Sequence, residues 1–244
     1  MRKRLDRHLG EKGLATRQEA ARLVKAGRVL VNGSPASSPA AHIDPDADRI
    51  YVDGMEVDRQ RHYHLLMNKP SGVLTAARDA RCKTVLDLLE HRYQASGCMP
   101  VGRLDKDTTG LLLFTTDGQL AHNLLSPKRH VDKVYRALLA RPVNEADVRA
   151  FSAGIHLSDF TAQPAELLPL EGHWAQVIIH EGKFHQVKRM FQAVGNEVLS
   201  LSRMAFAGLN LTDTLEPGAY RALDEGEIER LYSVAFSKGE DGHV

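Results

Sequence analysis

The segment GRLDKDTTGLLLFTTDG, residues 102–118, joins a loop crowded with charged and hydroxyl side chains to an apolar stretch that predicts a β-strand. Two roles for Asp105 in this loop are consistent with the sequence. It could accept hydrogen bonds from backbone amides in a tight turn, as most loop aspartates do, or it could serve as a reactive carboxylate. Asp107 suggests a hard-cation site, but no further oxygen ligands follow at the spacing of a calcium loop. No metal site is therefore predicted.

Strands and helices are interspersed around this segment. Strands are predicted for YHLLMNKP, KVYRALLA and WAQVIIH, the last of which alternates between two faces. Helices are predicted at about 119–126, 145–153 and 184–194, with Asn144 as an N-cap and Gly154 as a C-cap. Because the chain lacks a regular βαβ rhythm and a G-x-G-x-x-G loop, we predict an α+β domain with a mixed or antiparallel sheet.

The segment EGKFHQVKRMFQAVG, residues 181–195, has apolar residues at helical spacing on one predicted face: Phe184, Val187, Phe191 and Val194. At about 100° per residue, Lys188 lies on the flank of this stripe. There it could bring its ammonium group to a pocket, or it could be an ordinary lysine at a helix edge. Arg189 points roughly away from the stripe, towards solvent or phosphate.

Tyr135, in the predicted strand DKVYRALLA, has Lys133 and Arg136 beside it. An aromatic ring among cations suits a surface on which a nucleobase stacks. A strand tyrosine is by default half-buried core with its hydroxyl group at the rim. The residues alone leave both readings open.

The first 34 residues form a basic segment, with nine lysine and arginine residues against three acidic ones and a net charge of +6. Thr16 and Glu19 match a capping box, which predicts a helix that stops near Gly27. A strand at 29–31 and an Asn-Gly hairpin turn follow. Four basic side chains lie on or beside this helix: Arg17, Arg22, Lys25 and Arg28. They could follow a phosphate backbone or simply face solvent.

A domain boundary is predicted near residue 60, after the strand-like DRIYVDG and the polar EVDRQRH. It divides the chain into a small N-terminal domain, 1–60, and a larger domain, 61–236. The polar, glycine-containing end SKGEDGHV, 237–244, is expected to be a disordered tail.

Composition excludes several classes of protein. The content is 43% hydrophobic and 26% charged, and no apolar run approaches the roughly 18 residues of a membrane span, so a soluble protein is expected. The basic start lacks the apolar core of a secretory signal, which makes the cytoplasm the expected location. Cys82 and Cys98 have neither disulfide-framework nor zinc-ligand spacing, so free thiols are expected.

Five segments in this order resemble the RsuA-type pseudouridine synthases. The N-terminal KRLDRHLGEKGLATRQEAARLVKAGRVLVNG, with DRIYVDG after it, is similar to the S4 RNA-binding domain. The other four resemble the sequential motifs of the catalytic domain: NKPSG at 68–72, GRLDKDTTGLLLFTTDG at 102–118, the strand around Tyr135, and EGKFHQVKRMFQAVGNEV at 181–198. The resemblance implies a small S4 domain followed by a catalytic domain, without cofactor.

The resemblance assigns three catalytic residues: Asp105 as the essential aspartate, Tyr135 as the base-stacking tyrosine and Lys188 as the cation beside the aspartate. Many relatives have arginine at the position of Lys188, so the contact here would be a point charge rather than a bidentate fork. Seven residues are expected to contact RNA: Arg103, Arg189, Lys69, Arg17, Arg22, Lys25 and Arg28.

The expected substrate is a uridine in small-subunit (16S) ribosomal RNA, free or in an assembling subunit, because HQVKRMFQAVGN looks closer to the small-subunit enzymes. A target in large-subunit rRNA or tRNA is the first alternative. A non-catalytic RNA-binding or ribosome-assembly protein with an S4 domain is the second. A monomer is expected.

Overall fold

The computed structural model describes residues 2–57 and 62–237, and the chain forms two compact units. One unit comprises Met1–Tyr63 and Leu89–Met99, and the other comprises His64–Leu88 and Pro100–Val244. The predicted boundary near residue 60 falls on residues outside the described part. So does the predicted tail, apart from Ser237. No helix among the described residues is long and apolar enough to cross a membrane.

The first unit packs helices against short antiparallel strands. Its strands are β1 (Lys3–Arg4), β2 (Val29–Val31), β3 (Ser34–Pro35), β4 (His42–Ile43), β5 (Ile50–Val52) and β6 (Met55–Glu56). Its helices are α1 (Leu5–Glu11), α2 (Arg17–Lys25) and α3 (His91–Ala95). Within the described residues, β1 pairs with β4, and the others form a sheet in the order β3-β2-β5-β6. An apolar core forms between the helices and strands, with Leu5, Leu9, Ala20 and Ile43 fully or almost fully buried.

Local sequence signals place α2 and the hairpin as predicted. The backbone N–H of Glu19 donates to Thr16 Oγ1, and the Thr16 N–H donates to Glu19 Oε2, which completes the capping box. Asn32 and Gly33 both have positive φ, 53° and 80°, as a type I′ turn requires. Gly13 has a φ of 66°, and a Cβ there would clash with the backbone carbonyl of Arg92. This close approach joins the 89–99 segment to the first unit.

The second unit is built on a mixed sheet, in agreement with the predicted α+β class. Its strands are β7 (His64–Lys69), β8 (Met99–Pro100), β9 (Thr109–Thr115), β10 (Lys133–Leu139), β11 (Glu166–Pro169), β12 (Trp174–Ile179), β13 (Val198–Phe206), β14 (Leu209–Asn210) and β15 (Tyr220–Ala222). The main order among the described residues is β11-β12-β10-β13-β9-β7-β15, with β8 on β9 and β14 on β13. The central strands β9 and β13 run parallel to each other.

Four helices belong to this unit: α4 (Gly118–Leu125), α5 (Glu145–Ala153), α6 (Gln186–Ala193) and α7 (Glu225–Phe236). The sheet, α4 and α7 share an apolar core that includes Leu111, Leu113, Phe206 and Leu231. Asn144 caps α5 and Gly154 closes it, as predicted. The predicted helix at 184–194 is shorter in the structure, because α6 starts only at Gln186.

Candidate active site

The loop before β9 is held by a buried lysine. Lys69, the last residue of β7, is 0% exposed. Its Nζ donates hydrogen bonds to the backbone oxygens of Pro70 (3.1 Å), Asp105 (3.1 Å), Lys106 (3.2 Å) and Thr108 (2.9 Å). Burial lowers the pKa of Lys69 to about 8, although the neighbouring carboxylates act in the opposite direction.

This position corrects the prediction that Lys69 contacts RNA. Its ammonium group is enclosed and its three N–H donors are already shared among four carbonyl groups, so it shapes the loop instead. Thr75 adds a second anchor, because its Oγ1 donates to the Leu104 carbonyl at 2.8 Å and accepts from the Leu104 N–H at 3.2 Å. Hydrogen bonds from the buried Lys69 and Thr75 side chains therefore fix the backbone on both sides of Asp105.

Two basic side chains face the Asp105 carboxylate. Lys188 Nζ lies 3.3 Å from Asp105 Oδ2, and His185 Nε2 lies 3.6 Å from Asp105 Oδ1. The Asp105 side chain is 27% exposed, so an incoming molecule can still reach it. Lys188 comes from the first turn of α6, 83 residues further along the chain, as the sequence interpretation expected. His185 was not among the predicted site residues.

Asp107 is the other residue that sequence reasoning left out of the site. Lys188 Nζ donates a 2.6 Å hydrogen bond to Asp107 Oδ1, which is shorter than its contact with Asp105. That hydrogen bond lowers the pKa of Asp107, and its side chain is 73% exposed. Lys188 thus bridges two carboxylates. The signal was present in the sequence, since Asp107 follows Asp105 by two residues in the same tight loop.

The turn before α6 differs from the predicted continuous helix. His185 is the N-cap residue and has a left-handed backbone, with φ 49° and ψ 30°. Phe184 therefore lies outside the helix and is 74% exposed, which contradicts its predicted place on the buried apolar face. The next residue, Gln186, is buried, and its Nε2 donates to Glu181 Oε1 at 2.8 Å. This internal bond fixes where the helix begins.

Tyr135 lies across the sheet from the loop. In β10 it is opposite Arg203 of β13, which is in turn opposite Gly110 of β9. Gly110 lies where the loop enters β9. Tyr135 is thus two strands away from Gly110, which corresponds to a distance of about 10 Å. Its side chain is largely buried. Among the described residues, no hydrogen bond or ring contact joins it to Asp105 or Lys188.

The predicted RNA-contacting arginines of this unit differ in their surroundings. Arg103 is exposed and makes no ion pair within the described part of the chain. Arg189 is half-buried and forms an ion pair with Asp159, and its guanidinium lies 5.2 Å from the centre of the Phe160 ring. It was expected to meet solvent or phosphate. The structure shows instead that its charge is already partly neutralised.

In the first unit, Arg17, Arg22 and Lys25 are exposed on α2, as expected for a phosphate-binding surface. Arg28 is exposed as well, but its guanidinium makes a two-pronged contact with Asp53, at 2.5 and 2.6 Å. Its charge is therefore less available to a phosphate than the charges of the other three.

Among the described residues, no group of three or more histidine, cysteine, aspartate or glutamate side chains is arranged to hold a metal ion. A cavity of about 720 Å³ is lined by Lys188 and Gln192 of α6 and by residues 195–198 and 140–141. Asp105 is not among its lining residues, so the Asp105 carboxylate with Lys188 and His185, rather than this cavity, defines the candidate site.

The arrangement suits chemistry at an electrophilic carbon. Lys188 Nζ lies 3.3 Å from the Asp105 carboxylate and can offset its negative charge. Such a carboxylate can attack the carbon or remove a proton near it.

Two family matches cover most of the chain. Residues 62–193 match the RNA pseudouridylate synthase family, and residues 3–50 match the S4 domain. A solved structure described as a pseudouridylate synthase is 36% identical, with a TM-score of 0.66, and the similarity covers 93% of this chain and 99% of that one.

Curated relatives are similar over nearly their full length. An uncharacterized RNA pseudouridine synthase of Bacillus subtilis strain 168, YtzG, is 42% identical, with 93% of this chain and 98% of the relative covered. The ribosomal small subunit pseudouridine synthase A of Vibrio cholerae is 38% identical, and the similarity covers 94% of this chain and 99% of the relative. The ribosomal large subunit pseudouridine synthase B of Bacillus subtilis is also 38% identical, and the similarity covers 95% of this chain and 96% of the relative.

Proposed function

We propose that this chain, which belongs to the RNA pseudouridylate synthase family, converts a uridine of 16S ribosomal RNA to pseudouridine with Asp105 as its catalytic carboxylate. The family makes it an RNA pseudouridine synthase with an S4 RNA-binding domain. The second alternative, a non-catalytic S4 protein, does not account for the match over residues 62–193. The choice of uridine and the roles of individual residues are the proposal.

The observation that carries the role of Asp105 is its place between Lys188 and His185 on a loop fixed from within. In the reaction the N1–C1′ bond breaks, the freed uracil turns, and its C5 bonds to C1′ while the C5 proton is lost and N1 gains a proton. Atoms and electrons balance without a redox partner. Asp105 either attacks C1′ or removes a sugar proton, and both routes need an ionised carboxylate.

Other side chains are assigned supporting roles in this proposal. Lys188 makes a point-charge contact with the Asp105 carboxylate and orients it towards the target. Tyr135 holds the detached uracil by stacking, and Arg103, exposed in the same loop, contacts the RNA around the target. The target base must leave its helix or loop to reach the carboxylate, which has an unpairing cost of a few kcal/mol.

Small-subunit rRNA is the proposed substrate because of a short motif. Relatives named for the small and the large subunit are equally similar overall, at 38% identity. HQVKRMF at 185–191, with its histidine and lysine, is the feature that favours the small subunit. Chemical mapping of pseudouridine in total rRNA from cells with and without the gene tests this. A lost modification in large-subunit rRNA or tRNA would contradict the proposed target.

Asp105→Asn tests the catalytic role. We expect the variant to lose pseudouridine formation to background while its RNA affinity and thermal unfolding stay close to those of the parent, because the side chain keeps its size. Asp107→Asn is the matched control, since it removes one carboxylate of the same loop and leaves the contact between Lys188 and Asp105 in place. We expect it to remain active. Near-parental turnover by Asp105→Asn would refute the assignment.

A further inference from the structure

Phe184 and His185 form an exposed aromatic pair beside the candidate carboxylate. Their ring centres are 3.8 Å apart and their planes are inclined by 19°, so the rings are stacked. Phe184 is 74% exposed. We propose that this pair is a binding site for an unpaired nucleobase of the RNA that flanks the target uridine. The inference rests on the proposed role of Asp105, which places the uridine next to the pair.

An exposed phenylalanine needs a reason at this position. A phenylalanine ring is mostly buried in folded proteins, because leaving it in water forgoes the favourable free energy of burying its apolar surface. Here one face of the Phe184 ring packs on the imidazole, and most of the ring surface remains open. Flat aromatic faces bind unpaired bases by stacking, and they tolerate any base because every base has a π face.

The position of the pair indicates which base would use it. The imidazole Nε2 of His185 lies 3.6 Å from Asp105 Oδ1. The stack therefore begins at the reactive carboxylate and continues outward to the open face of Phe184. A uridine with its C1′ at Asp105 leaves the next nucleotide of the same strand close to that face. The ligand is thus a neighbouring base rather than the target base itself.

The pair is held in advance of binding. The backbone N–H of Lys183 donates to Gln186 Oε1 at 2.9 Å, and Gln186 Nε2 donates to Glu181 Oε1 at 2.8 Å. Glu181 also accepts from the backbone N–H of Gln163 at 2.9 Å. These hydrogen bonds, one buried and two partly buried, close the turn that carries both rings. Because the turn is ordered before RNA arrives, stacking does not have to offset the entropy of ordering it.

The surrounding charge suits a polyanion. Lys183, which precedes Phe184 in the chain, is exposed, and its ammonium group lies 5.9 Å from the centre of the Phe160 ring. Arg189 stacks on the same Phe160 ring from 5.2 Å, but its charge is partly neutralised by Asp159, so Lys183 is the cation that remains available. Lys183 can meet the phosphate that links the flanking nucleotide to the target. The combination of an aromatic face and a cation is the usual composition of a site for single-stranded RNA.

The test uses the full-length protein and a probe that needs no knowledge of the natural target. The probe is a short single-stranded oligouridylate with one 2-aminopurine, whose fluorescence is quenched on stacking. The parent protein should quench it. Phe184→Ala should bind the probe about tenfold more weakly or worse, which corresponds to one stacked base at about 1.4 kcal/mol. Phe184→Leu should behave like the alanine variant, because it keeps apolar surface but lacks the π face, and Phe184→Tyr should keep parental binding and quenching.

Phe236→Ala is the matched control, because Phe236 is also exposed and also stacked, on Tyr232 of α7. It should bind the probe as the parent does, and all variants should unfold at nearly parental temperatures. Parental binding and quenching by Phe184→Ala would overturn the inference. So would full retention by Phe184→Leu, which would show an apolar contact rather than stacking.

Turnover on deproteinised rRNA from cells lacking the gene separates this inference from the proposed function. Phe184→Ala should raise KM about tenfold and change kcat less. An inactive Asp105→Asn together with unaltered probe binding by Phe184→Ala would refute only the stacking site. An active Asp105→Asn together with weakened binding by Phe184→Ala would refute only the catalytic role.

Discussion

Replacing Lys69 with methionine tests how the loop that carries Asp105 is held. Methionine keeps an unbranched chain of similar volume and removes the ammonium group. Four backbone carbonyl groups then lose their donor. Only the bond to Thr108 lies wholly in the interior, whereas those to Pro70, Asp105 and Lys106 are partly exposed.

The magnitude follows from that difference. A buried hydrogen bond from a charged donor contributes about 2 kcal/mol, and one that water can replace contributes about 0.5 kcal/mol. One buried bond and three partly exposed bonds together contribute about 3.5 kcal/mol to the free energy of unfolding. This value lies within the range observed when one partner of a buried ion pair is removed. For a chain of this length, that loss lowers the melting temperature by about 7–14 °C.

Urea unfolding followed by the fluorescence of Trp174 measures this loss in the second unit, because Trp174 of β12 is the sole tryptophan of the chain. Lys106→Met is the matched control. Lys106 is exposed in the same loop, so its replacement should change the free energy of unfolding by less than about 0.5 kcal/mol. A loss of under about 1 kcal/mol for Lys69→Met would refute the argument that this lysine holds the loop.

The pH dependence gives a second check with a defined sign. Burial lowers the pKa of Lys69 from an ordinary 10.5 to about 8 in the folded protein. Between these values the unfolded chain binds more protons at Lys69 than the folded chain, so the stability that depends on Lys69 rises with pH. The stability difference between the parent and Lys69→Met should therefore grow from pH 8 to pH 10.5, by at most about 3 kcal/mol. A shrinking difference would contradict burial as the dominant cause.

Two further predictions concern the sheet and the basic segment. Gly110→Ala should destabilise the second unit by more than about 3 kcal/mol in urea unfolding, because φ at Gly110 is +99° and a methyl group there would meet the β13 backbone. Gly118 lies at the start of α4 with open space around it, so Gly118→Ala should instead stabilise the second unit by about 0.5–1 kcal/mol. Equal changes in the free energy of unfolding for the two variants would refute the close approach between Gly110 and the β13 backbone. Arg22→Ala should lower the slope of log affinity for RNA against log salt by about 1, and Arg28→Ala by clearly less, because Asp53 already neutralises Arg28. Equal slopes would show that the Arg28 ion pair opens on binding.

The sequence determined features that depend on short-range rules. The capping box at Thr16 and Glu19, the Asn32-Gly33 turn and the cap of α5 at Asn144 each involve residues at most three apart, and all are found in the structure. The motif order also identified the family, which the matches over 62–193 and 3–50 show. Helical spacing brought Lys188 to the flank from which it reaches Asp105.

Only the tertiary structure decided which charges are buried, paired or free. Lys69 was expected at the RNA surface, but the β7–β9 pairing brings it beneath the loop 36 residues later, where carbonyl groups surround it. Phe184 fits the helical stripe by spacing, yet the Gln186 side chain bonds to Glu181 and ends the helix before Phe184 is reached. Spacing along one element cannot reveal such contacts, because their partners come from elements that the sheet topology brings together. The sequence by itself thus determined the chemistry available, and the fold decided which side chains carry it.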